Sequence, residues 1–214
     1  MSSLTRRPSG GTARRDAAEE ALLDAVEGLL EAGHGYVELS VAEIAGAAGV
    51  ARSTFYQHFA DKSELLIRLA SSRTADIFAA ANDWVRGSGT DHGASRASLE
   101  DTCRRIVADY RRHVAVLDAV RAATGYDPVV ADYWQRRIDV FVRGATEQLG
   151  AAQRVGRVDP DVDVRVLASL AAWSIERTVS QSVDRDNPED DEALATGLAR
   201  ALWLMVFGDA PGNR

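Results

Sequence analysis

The chain has 214 residues, 46% of them hydrophobic, enough for a core in one large or two small domains. Its single cysteine, Cys103, excludes an intrachain disulfide and fits a reducing, cytoplasmic setting. The net charge of −7 argues as a sum against a phosphate-rich partner, and no apolar run approaches the roughly 18 residues of a membrane span.

The first segment, MSSLTRRPSGGTARR, lacks the apolar centre of a signal peptide. It holds Arg6, Arg7, Arg14 and Arg15 and no acid, so residues 1–11 read as a disordered basic arm. A helix is expected from residue 12, with Leu22, Val26, Leu29 and Leu30 on its apolar stripe and Gly33 as its stop. Residues 34–40 then form a linker, with Tyr36 and Leu39 as core residues.

Residues 40–62, SVAEIAGAAGVARSTFYQHFADK, read as two short helices joined by a tight turn. Val41, Ile44, Ala45 and Ala48 lie at i, i+3, i+4 and i+7, an apolar stripe. Ser40 and Glu43 have the spacing of a capping box. Gly49 stands where the chain must reverse through positive φ. Phe55 and Phe59 point inward from the second helix, leaving Arg52, Ser53, Thr54, Tyr56, Gln57 and His58 on its other faces. A short polar-faced helix set at an angle on a capped one is a helix-turn-helix. Residues 12–60 therefore make a three-helix DNA-binding domain too small to stand without a neighbour.

The neighbour, residues 61–210, is expected to be all helical. A long helix runs from 61 to about 86 through Leu65, Leu66, Leu69, Ile77, Phe78 and Trp84, and residues 87–95 form a loop. The next helix, about 98–112, carries Leu99, Cys103, Ile106 and Tyr110 on one face. A break at His113 leads to a short helix over 114–123. Asp127-Pro128 opens another in the cap-then-proline manner, with Trp134, Ile138, Phe141 and Leu149 on its stripe. Two final helices span about 162–183 and 189–207. The acidic run at 184–192 between them reads as a solvated turn.

The segment VAEIAGAAGVARSTFYQHFADKSELL, residues 41–66, resembles the DNA-binding signature of the TetR family of bacterial repressors. The turn glycine, the T-F-Y-x-H-F run and the K-x-E-L that follows carry the resemblance. It implies an all-α fold of nine helices over about residues 12–207: a three-helix helix-turn-helix domain and a six-helix ligand-binding and dimerisation domain. His113-Val114-Ala115-Val116, Trp134, Glu176-Arg177-Thr178 and Trp203 are similar to one branch, the ethionamide-resistance repressor type. The chain departs from that branch at Ala172 and Ile175, where asparagines reach the ligand, and at Leu99, where a larger aromatic is expected. It also has Ala51 where a hydroxyl residue often caps the recognition helix.

From the residues, Gln57 can pair bidentately with adenine, and Arg52 with guanine or phosphate. Ser53 and Thr54 offer hydroxyls, and Tyr56 and His58 resemble the family's phosphate contacts. Lys62, the sole lysine, sits at a helix start, where an ammonium beside exposed N–H groups makes a phosphate site. Ser40 can bond phosphate as well as cap, and Arg14 and Arg15 can add contacts from the arm. The plain alternative for each is a solvated or marginally packed side chain. Leu99, Cys103, Ile106, Tyr110, Leu117, Trp134, Ile138, Phe141, Trp173 and Trp203 suggest an apolar cavity between helices, against the alternative that they are ordinary core. Glu176 joins this set, although pairing with neighbours or a place in the dimer face is its first reading. No metal-ligand spacing occurs, and no cofactor is expected.

The expected function is a ligand-responsive transcriptional repressor. It binds double-stranded DNA at a palindromic operator as a homodimer, pairs through helices eight and nine of the nine-helix plan, and is released by a small apolar or amphipathic effector. A helical enzyme would need a nucleophile–base pair that is not present. A protein-interaction module would leave the helix-turn-helix unexplained.

Overall fold

The computed structural model describes residues 10–88, 95–183 and 190–208. These residues contain ten helices: α1 (Gly10–Glu31), α2 (Val41–Ala47), α3 (Arg52–His58), α4 (Lys62–Arg73), α5 (Ala75–Ser88), α6 (Arg96–Arg112), α7 (Val114–Ala123), α8 (Pro128–Arg154), α9 (Val164–Ser182) and α10 (Asp191–Phe207). Most of the arm and the loop at 89–94 lie outside the described residues, as does most of the acidic run.

Local chemistry explains the starts. Asp61 accepts the Glu64 N–H at the head of α4. A Ser95–Ser98 capping box opens α6. Asp127 accepts the Val129 and Val130 N–H groups ahead of Pro128 in α8, and Asp163 does the same for α9. Each cap satisfies N–H groups that the first turn leaves without partners.

One expected helix is two. The helix expected over residues 61–86 is interrupted at Thr74 (φ −105°, ψ 12°), and this break turns the nine-helix plan into ten helices. Thr74 is wholly buried, and its hydroxyl donates to the Ala70 carbonyl at 2.6 Å. Such back-bonding competes with the backbone ladder and bends helices. No glycine or proline marks the site, so the periodicity runs through it unbroken.

The core has three parts. One gathers Leu22, Val26 and Leu30 of α1 with Ile44, Phe55 and Phe59, then continues without a gap into Leu65, Leu66 and Leu69 of α4 and Val116 and Val120 of α7. The three-helix unit thus shares its core with the following helices, as its small size requires. The second part packs α6 against α10, through Leu99, Ile106, Leu198 and Leu202. The third packs α8 against α9, through Phe141, Leu149, Leu167 and Ala172.

Candidate nucleic-acid interface and ligand cavity

The helix-turn-helix forms as its residues dictate. The Ser40 hydroxyl accepts the Glu43 N–H at 3.2 Å, and the Glu43 carboxylate accepts the Ser40 N–H at 2.8 Å. Those bonds hold the Glu43 carboxyl below its ordinary range. Gly49 has φ +67°, and the Val50 N–H returns to the Ala45 carbonyl at 2.9 Å. Phe55 and Phe59 are buried, their ring centroids 5.7 Å apart. α3 has no side-chain cap at Ala51. Ser53 and Thr54 do not compensate, which costs about 1 kcal/mol.

Arg52, Ser53, Tyr56 and Gln57 are exposed on one side of α3, and Thr54 is half-exposed at its margin. Arg52 Nη2 donates to the Tyr56 hydroxyl at 3.4 Å, and its guanidinium lies 5.8 Å from the ring centroid. This side of α3 presents one cation, two hydroxyls and an amide to solvent. Arg14 and Arg15 are also exposed, on the first turns of α1.

Two expected contacts fall elsewhere. Lys62 does not aim its ammonium outward at the head of α4. Nζ donates to the carbonyls of Tyr36 at 3.1 Å, Val37 at 3.0 Å and Leu39 at 2.7 Å, using all three of its protons. It also lies 5.3 Å from the centroid of the Tyr36 ring, and the Tyr36 hydroxyl donates back to the Lys62 carbonyl. Burial lowers the Lys62 pKa, with Glu43 opposing. The positive end of α4 meets the protein's own carboxylates instead: Asp61 takes the Glu64 N–H, and Glu64 takes the Ala60 N–H at 2.7 Å. His58 is turned inward. Its side chain is 3% exposed, with Nδ1 3.8 Å from Glu19 Oε2 and no hydrogen-bond partner.

A cavity lies between α5, α6, α7, α8 and α9. Its upper chamber is lined by Ile77, Phe78, Ile106, Tyr110, Leu117, Trp134, Ile138, Phe141 and Glu176, among others. A lower chamber reaches α10 and is lined by Trp84, Leu99, Cys103, Leu149 and Leu202 among others. Ala81, Ile106, Phe141 and Ile175 form the wall between them. The volume open to the centre of a water molecule is about 60 Å³ in the upper chamber and about 50 Å³ in the lower. Both linings are almost wholly apolar. Burial pushes the Cys103 thiol up to about 12, so it is an inert apolar wall atom at neutral pH. Burial also raises the Tyr110 pKa.

Glu176 is the one charged residue of the upper lining. It is half-buried, and no hydrogen bond or salt bridge reaches its carboxylate among the described residues. Burial raises its pKa, with Arg177 and Arg121 opposing at longer range.

Residues 22–69 match the family model described as bacterial regulatory proteins, tetR family. Residues 99–207 match the C-terminal domain model of the transcriptional regulator EthR. The chain belongs to the TetR family, in its EthR-like branch.

The HTH-type transcriptional regulator EthR of Mycobacterium tuberculosis H37Rv is 26% identical over 207 residues, spanning 96% of this chain and 92% of that one. The solved structure of the regulator FadR from Bacillus subtilis in complex with stearoyl-CoA matches at TM-score 0.69 and 19% identity, covering 88% of this chain and 98% of that one. A SmeT–triclosan complex matches at TM-score 0.71 and 16% identity, over 91% and 93%. As a TetR-family protein the chain is a helix-turn-helix transcriptional regulator rather than an enzyme. No helix among the described residues is long and apolar enough to cross a membrane.

Against the TetR plan, two expected ligand contacts leave the cavity. Trp173 is 39% exposed on the outer face of α9. Trp203 is buried, but against Phe207 at 4.5 Å between ring centroids, and it lines neither chamber. Periodicity groups both with the cavity because it gives a stripe's spacing, not which neighbour the stripe faces. Ile77, Phe78, Ala81 and Val179 line the cavity without having been expected there, and Ala172 and Ile175, which stand at the branch's ligand-reaching positions, line it too. The stripe that carries Ile77 and Phe78 is visible in the sequence, but the bend at Thr74 that aims it is not.

Proposed function

We propose that this regulator is a dimeric, effector-released repressor of a palindromic operator. The observation that carries the reading is the presence, in one chain, of an outward polar face on α3 and an apolar cavity between α5, α6, α7, α8 and α9. Gln57 reads adenine in the major groove, Arg52 a guanine or phosphate, and Ser40, Ser53, Thr54 and Tyr56 bond the backbone. Arg14 and Arg15 add phosphate contacts from α1. Residues 12–60 serve DNA and residues 61–210 serve the effector and the dimer.

The dimer forms through α9 and α10, which correspond to helices eight and nine of the nine-helix plan. Val166, Leu170 and Trp173 are exposed on α9, and Leu204 on α10. A shallow groove between the two helices is lined by Ala193, Gly197, Ala201 and Met205, with Ser174 and Thr178 across from them. Small residues at four-residue spacing allow close approach of a second helix pair. The effector is small and largely apolar, matching the lining of both chambers. Structural relatives were solved with stearoyl-CoA and with triclosan, so the fold accommodates such partners. The protein works in the cytoplasm, where its DNA is.

The test is a gel shift on the DNA upstream of the protein's own gene. The wild-type chain is expected to bind, Gln57→Ala to bind with relaxed base preference, and Arg52→Ala to weaken every sequence. Absence of binding by the wild-type chain sinks the reading.

A further inference from the structure

One arginine touches the cavity wall, the helix break and α4 together. Arg137 of α8 lays its guanidinium 4.2 Å from the centroid of the Phe78 ring. Its Nη1 donates to the Tyr133 hydroxyl at 2.8 Å, and that hydroxyl bonds Ser71 Oγ of α4 at 2.8 Å. Its Nη2 reaches the Thr74 carbonyl at 3.4 Å, where α4 gives way to α5. Phe78 lines the upper chamber and packs edge-on against Trp134, which lines it too, at 6.0 Å.

On the other side of the break, Arg73 grips α1. Its guanidinium meets Glu27 at 2.7 Å, Glu20 at 2.7 Å and Asp24 at 2.5 Å, three carboxylates on one face of α1. Glu27 also bonds His113 Nδ1 at 3.0 Å, at the α6–α7 junction. α1 buries Leu22 and Val26 in the same core as Ile44 and Phe55 of the helix-turn-helix. A rotation of α4 at Thr74 is therefore delivered to the DNA-binding unit through charge-assisted bonds.

We propose that Arg137 is the positioning residue that transmits cavity occupancy to the helix-turn-helix. The inference rests on the effector-released reading above. The upper chamber has room within it for only a few waters, so an occupant of greater bulk seated against Phe78 displaces that wall. Phe78 is the wall residue whose opposite face carries a stacked cation. Its displacement removes the support of Arg137, frees the Thr74 carbonyl, and lets α4 reorient with Arg73 and α1 attached. Ligand and DNA are then coupled through one element with two arrangements, as coupling between separate sites requires.

The experiment needs no known effector. An operator is first selected from randomised duplexes with the wild-type protein. Ala172→Phe fills the upper chamber from α9 and stands in for the ligand. Operator affinity is measured by fluorescence anisotropy for the wild type, A172F, R137M and the double variant, with circular dichroism melts of all four. A172F is expected to weaken operator binding by more than about tenfold when Arg137 is present, and by less than about threefold in the R137M background. The shift in melting temperature caused by A172F should be the same in both backgrounds.

Equal weakening in both backgrounds overturns the role of Arg137 and leaves the effector reading standing. A folded A172F that binds the operator as well as the wild type overturns the effector reading, and this inference with it. Ala81→Phe, from the opposite wall, and the smaller Ala172→Leu repeat the comparison should A172F fail to fold.

Discussion

Lys62 Nζ stands 2.7 Å from the Leu39 carbonyl oxygen, and with the Tyr36 and Val37 carbonyls that contact fastens the head of α4 to the linker entering the helix-turn-helix. The sole lysine therefore ties α4 to that linker instead of facing outward.

Lys62→Met keeps the stem and removes the three bonds. Hydrogen bonds to a charged donor contribute about 1.5–3 kcal/mol each when formed, less where water competes, and this site is half-buried. The variant is expected to lose about 2 kcal/mol in urea unfolding. Its operator affinity should fall without a change in the slope of log K against log salt. Arg52→Ala, which removes an exposed cation, should reduce that slope by about 0.9. A stable Lys62→Met with a reduced slope would restore the phosphate role.

His58 makes the converse case. Its ring is buried with one nitrogen lacking a partner, and an unsatisfied buried polar atom costs about 1–3 kcal/mol. His58→Leu is expected to match or exceed wild-type stability by about 1 kcal/mol and to hold the operator within about threefold. A tenfold loss of operator affinity in a folded variant would place the imidazole on the DNA.

How much of this is legible in the sequence follows from what each signal encodes. The Ser40–Glu43 box, the positive φ at Gly49 and the burial of Phe55 and Phe59 are local, and spacing alone specifies them. The cap at Asp127 is legible for the same reason. Lys62 and His58 are misplaced by sequence reasoning because both carry groups that suit DNA. The groups they face, the Leu39 carbonyl and the Glu19 carboxylate, lie 23 and 39 positions away, and only tertiary packing brings them close. The break at Thr74 leaves no mark because a single threonine hydroxyl produces it. That one bend decides that Phe78 faces a cavity, and the turn of α9 decides that Trp173 faces outward.

The outer face of α9 yields a test of assembly. Leu170 and Trp173 are 53% and 39% exposed, three positions apart on one stripe, and large exposed apolar groups in series mark an interaction surface. Leu170→Glu with Trp173→Glu is expected to halve the mass seen by sedimentation at micromolar concentration, because four charges would face one another across a two-fold axis. The monomer should bind the operator at least about tenfold more weakly, having lost one half-site. An unchanged mass would move the interface away from α9.

Asp127 links two helices and makes the fold sensitive to acid. Oδ1 accepts the Val129 and Val130 N–H groups at 2.9 and 3.2 Å, and Oδ2 accepts the Ser63 hydroxyl from the first turn of α4. Partial burial works to raise the carboxyl's pKa, but the bonds from Ser63, Val130 and Val129 outweigh it and bring it below the ordinary 3.8. A carboxyl with a lowered folded pKa contributes stability that is complete above its unfolded value, near 4, and is lost as pH falls through the folded one. An asparagine in its place would keep an acceptor for the α8 cap but carry no charge. Asp127→Asn is therefore expected to be less stable than the wild type at pH 7, and the gap should close as the pH is lowered from about 4 toward 2. Thermal melts across that range read the difference directly. A gap that stays constant to pH 2 would mean that the charge of Asp127 adds nothing to the junction of α4 and α8.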